Sequence, residues 1–139
     1  MAITQINAYL NTNGDGLEAV KLYERVLGAK IESLQTFADI PGPPPAPEDK
    51  NRVMHAVLHI GPGLVMLSDG PKNRTIPKDS NAHVCLAFDD ADDMAKKFEG
   101  LAAGGTVTMP LQDTFWGARF GMLVDRHGIH WMFNCHKQG

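Results

Sequence analysis

The chain lacks what a disulfide framework, a membrane span or a nucleic-acid footprint would require. Its two cysteines, Cys85 and Cys135, are too few to staple a fold. They point to a reducing, cytoplasmic setting. No apolar run approaches the roughly 20 residues that cross a bilayer as a helix, and the start shows no signal-peptide pattern. There is no basic run, and the net charge of −3 argues against nucleic acid as a partner. What remains is 139 residues, 43% of them hydrophobic. That suits one compact domain with a sizeable core. The seven methionines are spread along the expected strands and loops and read as core filler.

Hydrophobic periodicity orders the chain. "ITQINAYL" is a strand. "NGDGLEAVKLYERVLG" is a helix with Ala19, Val20, Tyr23, Val26 and Leu27 on one face. Asp15 and Glu18 have the spacing of a capping box, and Gly28 suits the left-handed end. "AKIESLQTF" is a strand. The next stretch, "ADIPGPPPAPEDK", holds five of the nine prolines. It can be neither helix nor central strand, so it is a loop. "RVMHAVLHI" and "GLVMLSD" form a hairpin around "GPG". After a polar connector the order returns: a strand "AHVCLAF", a helix capped by Asp90, a strand "TVTMPLQ", and a hairpin around "RHG". Matching Tyr23 to Phe98 spaces the helices by 75 residues, and matching Gly63 to Gly128 spaces the hairpins by 65. The longer proline loop accounts for the difference. This is an α+β chain of two tandem βαβββ modules, residues 1–70 and 81–136 with a linker at 71–80, an internal duplication. The alternative is a single α+β sheet whose halves look alike by chance.

"EAVKLYERVLGAKI", "MHAVLHIGPGLVMLSD", "FEGLAAGGTVTMPLQDTFWG" and "FWGARFGMLVDRHGIHWMFN", in this order, resemble the vicinal oxygen chelate superfamily of glyoxalase and bleomycin-resistance proteins, and its PhnB-like branch. The resemblance covers nearly the whole chain, as one domain spanning 1–139. It implies a cup-shaped, mostly antiparallel sheet with helices outside and a ligand in the concave face. It also implies homodimers and, in many members, a divalent metal in the cup. It does not imply one activity, because members include isomerases, transferases, dioxygenases and drug-sequestering proteins.

Strand alternation assigns faces. Met54, Ala56, Leu58 and Ile60 are expected toward the helices, with Val53, His55, Val57 and His59 concave. Ile6, Ala8 and Leu10 are expected in the core, with Asn7 and Tyr9 inward. His83, Cys85 and Ala87 are expected concave, as are His130, Met132 and Asn134, while Trp131, Phe133 and Cys135 go to the core. Module matching places Val65, Leu67 and Asp69 inward, with Arg119 and Leu123, and sends Phe120, Met122 and Val124 outward. His59 and His127 are expected in solvent near turns.

The resemblance places metal ligands at Asn7, Leu67, His83 and Met132. Relatives carry glutamate at the end of a "DxxGxxxE" pattern, where this chain reads "DRHGIHWM". Leucine and a thioether do not hold a hard or borderline divalent ion. No cofactor is therefore expected and a divalent metal at these positions is disfavoured; His55, His83 and His130 are the alternative set that could converge on one. The leading reading is a protein that binds or converts a small polar or anionic molecule. His83 and His55 would be the acid–base groups, Arg119 would orient an anion, and Trp116 would close the mouth. Asn7, Tyr9, His130, Met132 and Asp69 would line the pocket. Each has a plainer reading: His55 as a hydrogen-bonded core histidine, Tyr9 as wall packing, Trp116 as a dimer contact, Arg119 as a solvated loop end, Cys85 as an inert thiol. Two other functions stay open. One is a dimer that sequesters a drug-like ligand without catalysis. The other is a metal-dependent lyase or dioxygenase.

Overall fold

The computed structural model describes residues 2–72 and 75–136. Between Ile76 and Pro77 the chain divides into two compact units. The first runs β1 (Ala8–Asn11), α1 (Gly16–Leu27), β2 (Lys30–Thr36), β3 (Val53–Ile60), β4 (Gly63–Ser68). The second repeats this as β5 (Val84–Phe88), α2 (Ala91–Ala102), β6 (Thr106–Asp113), β7 (Ala118–Val124), β8 (His130–His136). The sheets have the same order, β1-β4-β3-β2 and β5-β8-β7-β6. In each, the first strand runs parallel to the last of its module, and the other pairs are antiparallel. The α+β reading of two βαβββ modules holds. The proline stretch carries no strand; short 3-10 turns at Phe37–Asp39 and Pro47–Asp49 form its two ends.

In unit 1 the fully covered rows lie under α1. Leu10 stands beside Leu67, and Leu67 opposite Ala56. The next row is Ala8, Val65 and Leu58. Leu67, Ala56 and Leu58 are completely buried. The other face carries Tyr9, Met66, Val57 and Ser33 across four strands. Val65 and Leu67 therefore face α1, which corrects their inward assignment. The cause is turn length. Gly61 and Pro62 alone join β3 to β4, whereas five residues, Asp125 to Ile129, join β7 to β8. Aligned by register, Leu58 matches Leu123 and Val65 matches Trp131. The offset grows by one residue across the turn, and a one-residue slip moves every side chain to the other face. Ile6, expected in the core, is 91% exposed and precedes β1.

In unit 2 the rows under α2 are Leu86–Phe133–Gly121 and Val84–Trp131–Leu123. Phe133 packs parallel to Phe88 and edge-on to Phe98 of α2. A Cβ on Gly121 would sit 3.0 Å from Phe98 and 2.9 Å from Leu111, so glycine is what lets those side chains lie against β7. Leu123 and Arg119 thus lie on the α2 side, and Phe120, Met122 and Val124 on the other, the reverse of the module-matched assignment.

The two helices are capped differently. Asp90 accepts from the backbone N–H groups of Asp92 and Asp93. Replacing Asp90 with alanine should lower stability by about 1 kcal/mol, the usual worth of such a cap, read by urea unfolding. Asp15 occupies the equivalent place but makes no side-chain cap bond, so the expected capping box is absent. Asp69, just beyond β4, supplies the carboxylate instead. It accepts from Gly16 N at 3.0 Å and Gly14 N at 2.8 Å. Among the described residues no helix is long and apolar enough to cross a membrane.

Candidate functional site

Each sheet offers the face turned away from its helix. On unit 1 that face holds Asn7, Tyr9 and His55. Tyr9 is half exposed, and its hydroxyl lies 3.2 Å from His55 Nδ1. The rings are tilted, with centroids 5.9 Å apart. A phenol held against an imidazole forms a pair that can pass or share a proton. It exists because β4 lies between β1 and β3, bringing Tyr9 within reach of a residue 46 positions along the chain. Asn7 donates to the Leu64 carbonyl at 3.2 Å. His59 lies 2.8 Å from Glu32 near the hairpin end and stays exposed.

Asp69 does not belong to that face. It is 1% exposed. Besides the two glycine N–H groups it accepts from the Thr12 hydroxyl at 2.7 Å and from Val53 N at 2.7 Å. Its carboxylate is committed to holding the start of α1 against β3, which corrects its placement on the pocket wall.

On unit 2 the face away from α2 holds His83, Cys85 and Ala87 beside His130, Met132 and Asn134, as alternation predicts. The His83 and His130 rings meet edge-to-face with centroids 5.4 Å apart. His130 Nε2 lies 2.8 Å from the Lys78 carbonyl oxygen. A carbonyl only accepts, so in the neutral ring Nε2 carries the hydrogen and Nδ1 keeps the lone pair. Arg119 stands opposite Cys135 on the α2 side. Its guanidinium reaches Asp113 at 3.2 Å, so one expected anionic partner is present while its inward direction is corrected. Trp116 sits between Phe115 and Phe120, with centroids 5.0 and 6.1 Å away. Phe115 is 97% exposed. His127, expected in solvent, is buried in its turn.

Sequence reasoning missed Met122 and Met109 on this face. Register places Met109 opposite Met122, Met122 opposite Met132, and Met132 opposite Cys85. The available signal was the apolar run from Phe120 to Val124 in β7, which alternation alone could not orient.

The chain belongs to the glyoxalase/bleomycin resistance protein/dioxygenase superfamily, whose model matches residues 5–133. Protein YjdN of Escherichia coli (strain K12) is 28% identical over 144 residues, covering 96% of this chain and 96% of the relative. The crystal structure of protein PA1353 from Pseudomonas aeruginosa is 37% identical, with a TM-score of 0.87, over 98% of this chain and 100% of that one. A putative 3-demethylubiquinone-9 3-methyltransferase, PhnB protein, from Bacillus cereus shares the fold at 23% identity, with a TM-score of 0.76, over 95% and 99% of the two chains.

The hard divalent ion that the family implies does not fit the residues present. Register moves the β4 position from Leu67 to Met66, the counterpart of Met132. The positions then read Asn7 and Met66 on unit 1, an amide and a thioether, and His83 and Met132 on unit 2, an imidazole and a thioether. Such an ion needs carboxylate or several imidazole donors. Among the described residues no three His, Cys, Asp or Glu side chains gather as a metal group.

Proposed function

We propose that the protein binds or converts a small polar or anionic molecule on the sheet face that carries Tyr9 and His55, without the family's hard divalent ion. The observation that carries this reading is the Tyr9–His55 contact of 3.2 Å at a half-exposed phenol. A phenol and an imidazole that already touch can donate two hydrogen bonds to one oxyanion, or transfer a proton to a bound substrate. His83, paired with His130 on the other unit, is a second acid–base candidate of the same kind. Pairing of two copies, which the family likeness implies, is part of the proposal; a monomer in sedimentation would remove that part.

The test is a thermal-shift panel of small carboxylates, phosphates and phosphonates, followed by calorimetry on the best ligand. Tyr9→Phe should weaken binding by about tenfold, roughly the 1.5 kcal/mol of one charge-assisted hydrogen bond. His55→Ala should weaken it at least as much. Unchanged affinity in both variants would sink the reading. His83→Ala with unchanged affinity and turnover would remove only that residue's role.

A second reading has its own observation. The exposed Phe115 and Trp116 rings, with the half-buried Phe120 beside them, form a surface on which a planar ligand could stack. That favours sequestration without catalysis. Cationic aromatic drugs should then give the larger shifts in the same panel, and Trp116→Ala should abolish them.

A further inference from the structure

Unit 2 carries a row of sulfur that unit 1 lacks. Cys85, Met132, Met122 and Met109 stand opposite one another on four successive strands. The neighbours of Met132 and Met122 in sequence, Trp131, Phe133, Gly121 and Leu123, are all buried on the α2 side. The Met132 and Met122 side chains therefore share the other face, with Cys85 opposite Met132, while Met109 lies between two register shifts of β6. Directly opposed side chains have Cβ atoms about 4.5–5.5 Å apart, and thioether arms are flexible enough to converge on one point between them. The equivalent row in unit 1 is Tyr9, Met66, Val57 and Ser33, with a single thioether. The Cys85 thiol is free and exposed. His83 and His130 lie two positions before Cys85 and Met132, on the same face. With its Nε2–H held by the Lys78 carbonyl, His130 keeps a lone pair on Nδ1.

We propose that this face is a soft-cation site that takes Cu(I) or the similar ion Ag(I). Cys85, Met132 and Met122 supply the sulfur, with an imidazole nitrogen of His130 or His83 as a further donor. Thiolate and thioether ligands select soft ions over hard ones. A thiol, two thioethers and an imidazole are poor donors for a hard divalent ion and good ones for a soft ion. On binding, the Cys85 thiol gives its proton to solvent and its sulfur lone pair to the metal; no electron is transferred. The site does not depend on the Tyr9–His55 reading.

Anaerobic titration of the whole protein with Cu(I), against a chromophoric Cu(I) chelator, tests it. One Cu(I) per chain is expected. Loss of an outer partner of a metal ligand costs about 10- to 100-fold in affinity. Met132→Leu and Met122→Leu, each losing a ligand itself, should cost about tenfold or more. Cys85→Ser should cost more than either. Met66→Leu, on the matching row of unit 1, should change nothing. Leucine conserves volume, so folding is checked by an unchanged melting temperature. Parent-like affinity in both thioether variants would mean that the thiol acts alone, and the proposal fails. It fails equally if equimolar Zn(II) displaces the Cu(I). Native mass spectrometry of Cys85→Ser with Ag(I) is the second measurement. Residual Ag(I) that disappears in the Cys85→Ser/Met132→Leu double variant supports the site, and residual Ag(I) that persists there counts against it.

Discussion

Asp69→Ala should destabilise the protein by about 3–5 kcal/mol. Each buried donor left without an acceptor costs about 1–3 kcal/mol, and this carboxylate serves four. They are the N–H groups of Gly14, Gly16 and Val53 and the Thr12 hydroxyl. Water entering the space recovers part of the sum. The carboxylate lies so close to Gly16 that a Cβ there would sit 2.8 Å from it. Asp69→Asn should lose much of the same stability, since its amide turns an N–H group toward donors. As a control, Glu48→Ala breaks the exposed pair with Lys72 and should leave stability nearly unchanged. Urea unfolding measures all three. A loss under about 1 kcal/mol for Asp69→Ala would show that the carboxylate does not hold α1 to the sheet.

Trp131→Ala should be comparably costly, again about 3–5 kcal/mol, the usual range for emptying a buried aromatic site. Trp131 is completely buried under α2. Its indole N–H donates to Asp125 Oδ2 at 2.8 Å. The other oxygen of Asp125 accepts from the N–H groups of His127 and Ile129 and so shapes the β7–β8 turn. The substitution therefore opens a cavity and removes one anchor of that turn. Trp131→Phe should recover most of the packing but not the hydrogen bond, leaving a deficit of about 1–2 kcal/mol. If Trp131→Phe melted with Trp131→Ala, the hydrogen bond rather than the packing would dominate.

Much of this was legible in the sequence, and the exceptions have physical causes. The order of elements could be read because the periods are clean and the breakers are strong. The left-handed Gly28, the Asp90 cap and the proline loop each act locally. The faces of β5 and β8 could be read because polar residues alternate with large apolar ones: His83, then Val84; His130, then Trp131. β4 could not. "LVML" is apolar on both faces, so its register hung on a turn whose length the duplication had changed. β7 misled because module matching ran one residue out of register: strand pairing matches Leu58 to Leu123, and so His55 to Phe120 rather than to Arg119. Asp69 was out of reach for another reason. Its partners lie up to 57 residues away, and nothing local separates an aspartate that caps a distant helix from one that lines a pocket. The Tyr9–His55 pair could be read only as two residues of one face; their contact needed the strand order.

The difference between the two hairpin turns also says where this chain can change length. A residue gained or lost between paired strands alters neither strand's parity, so both cores and both outer faces survive it. The same change inside β4 or β8 would exchange Leu67 with Met66, or Phe133 with Met132, and turn one unit inside out. Variants with one residue inserted after Pro62 should therefore fold, while those with one inserted after Val65 should not. The two halves of a duplicated chain could drift apart in length at their turns while still sharing one inside and one outside.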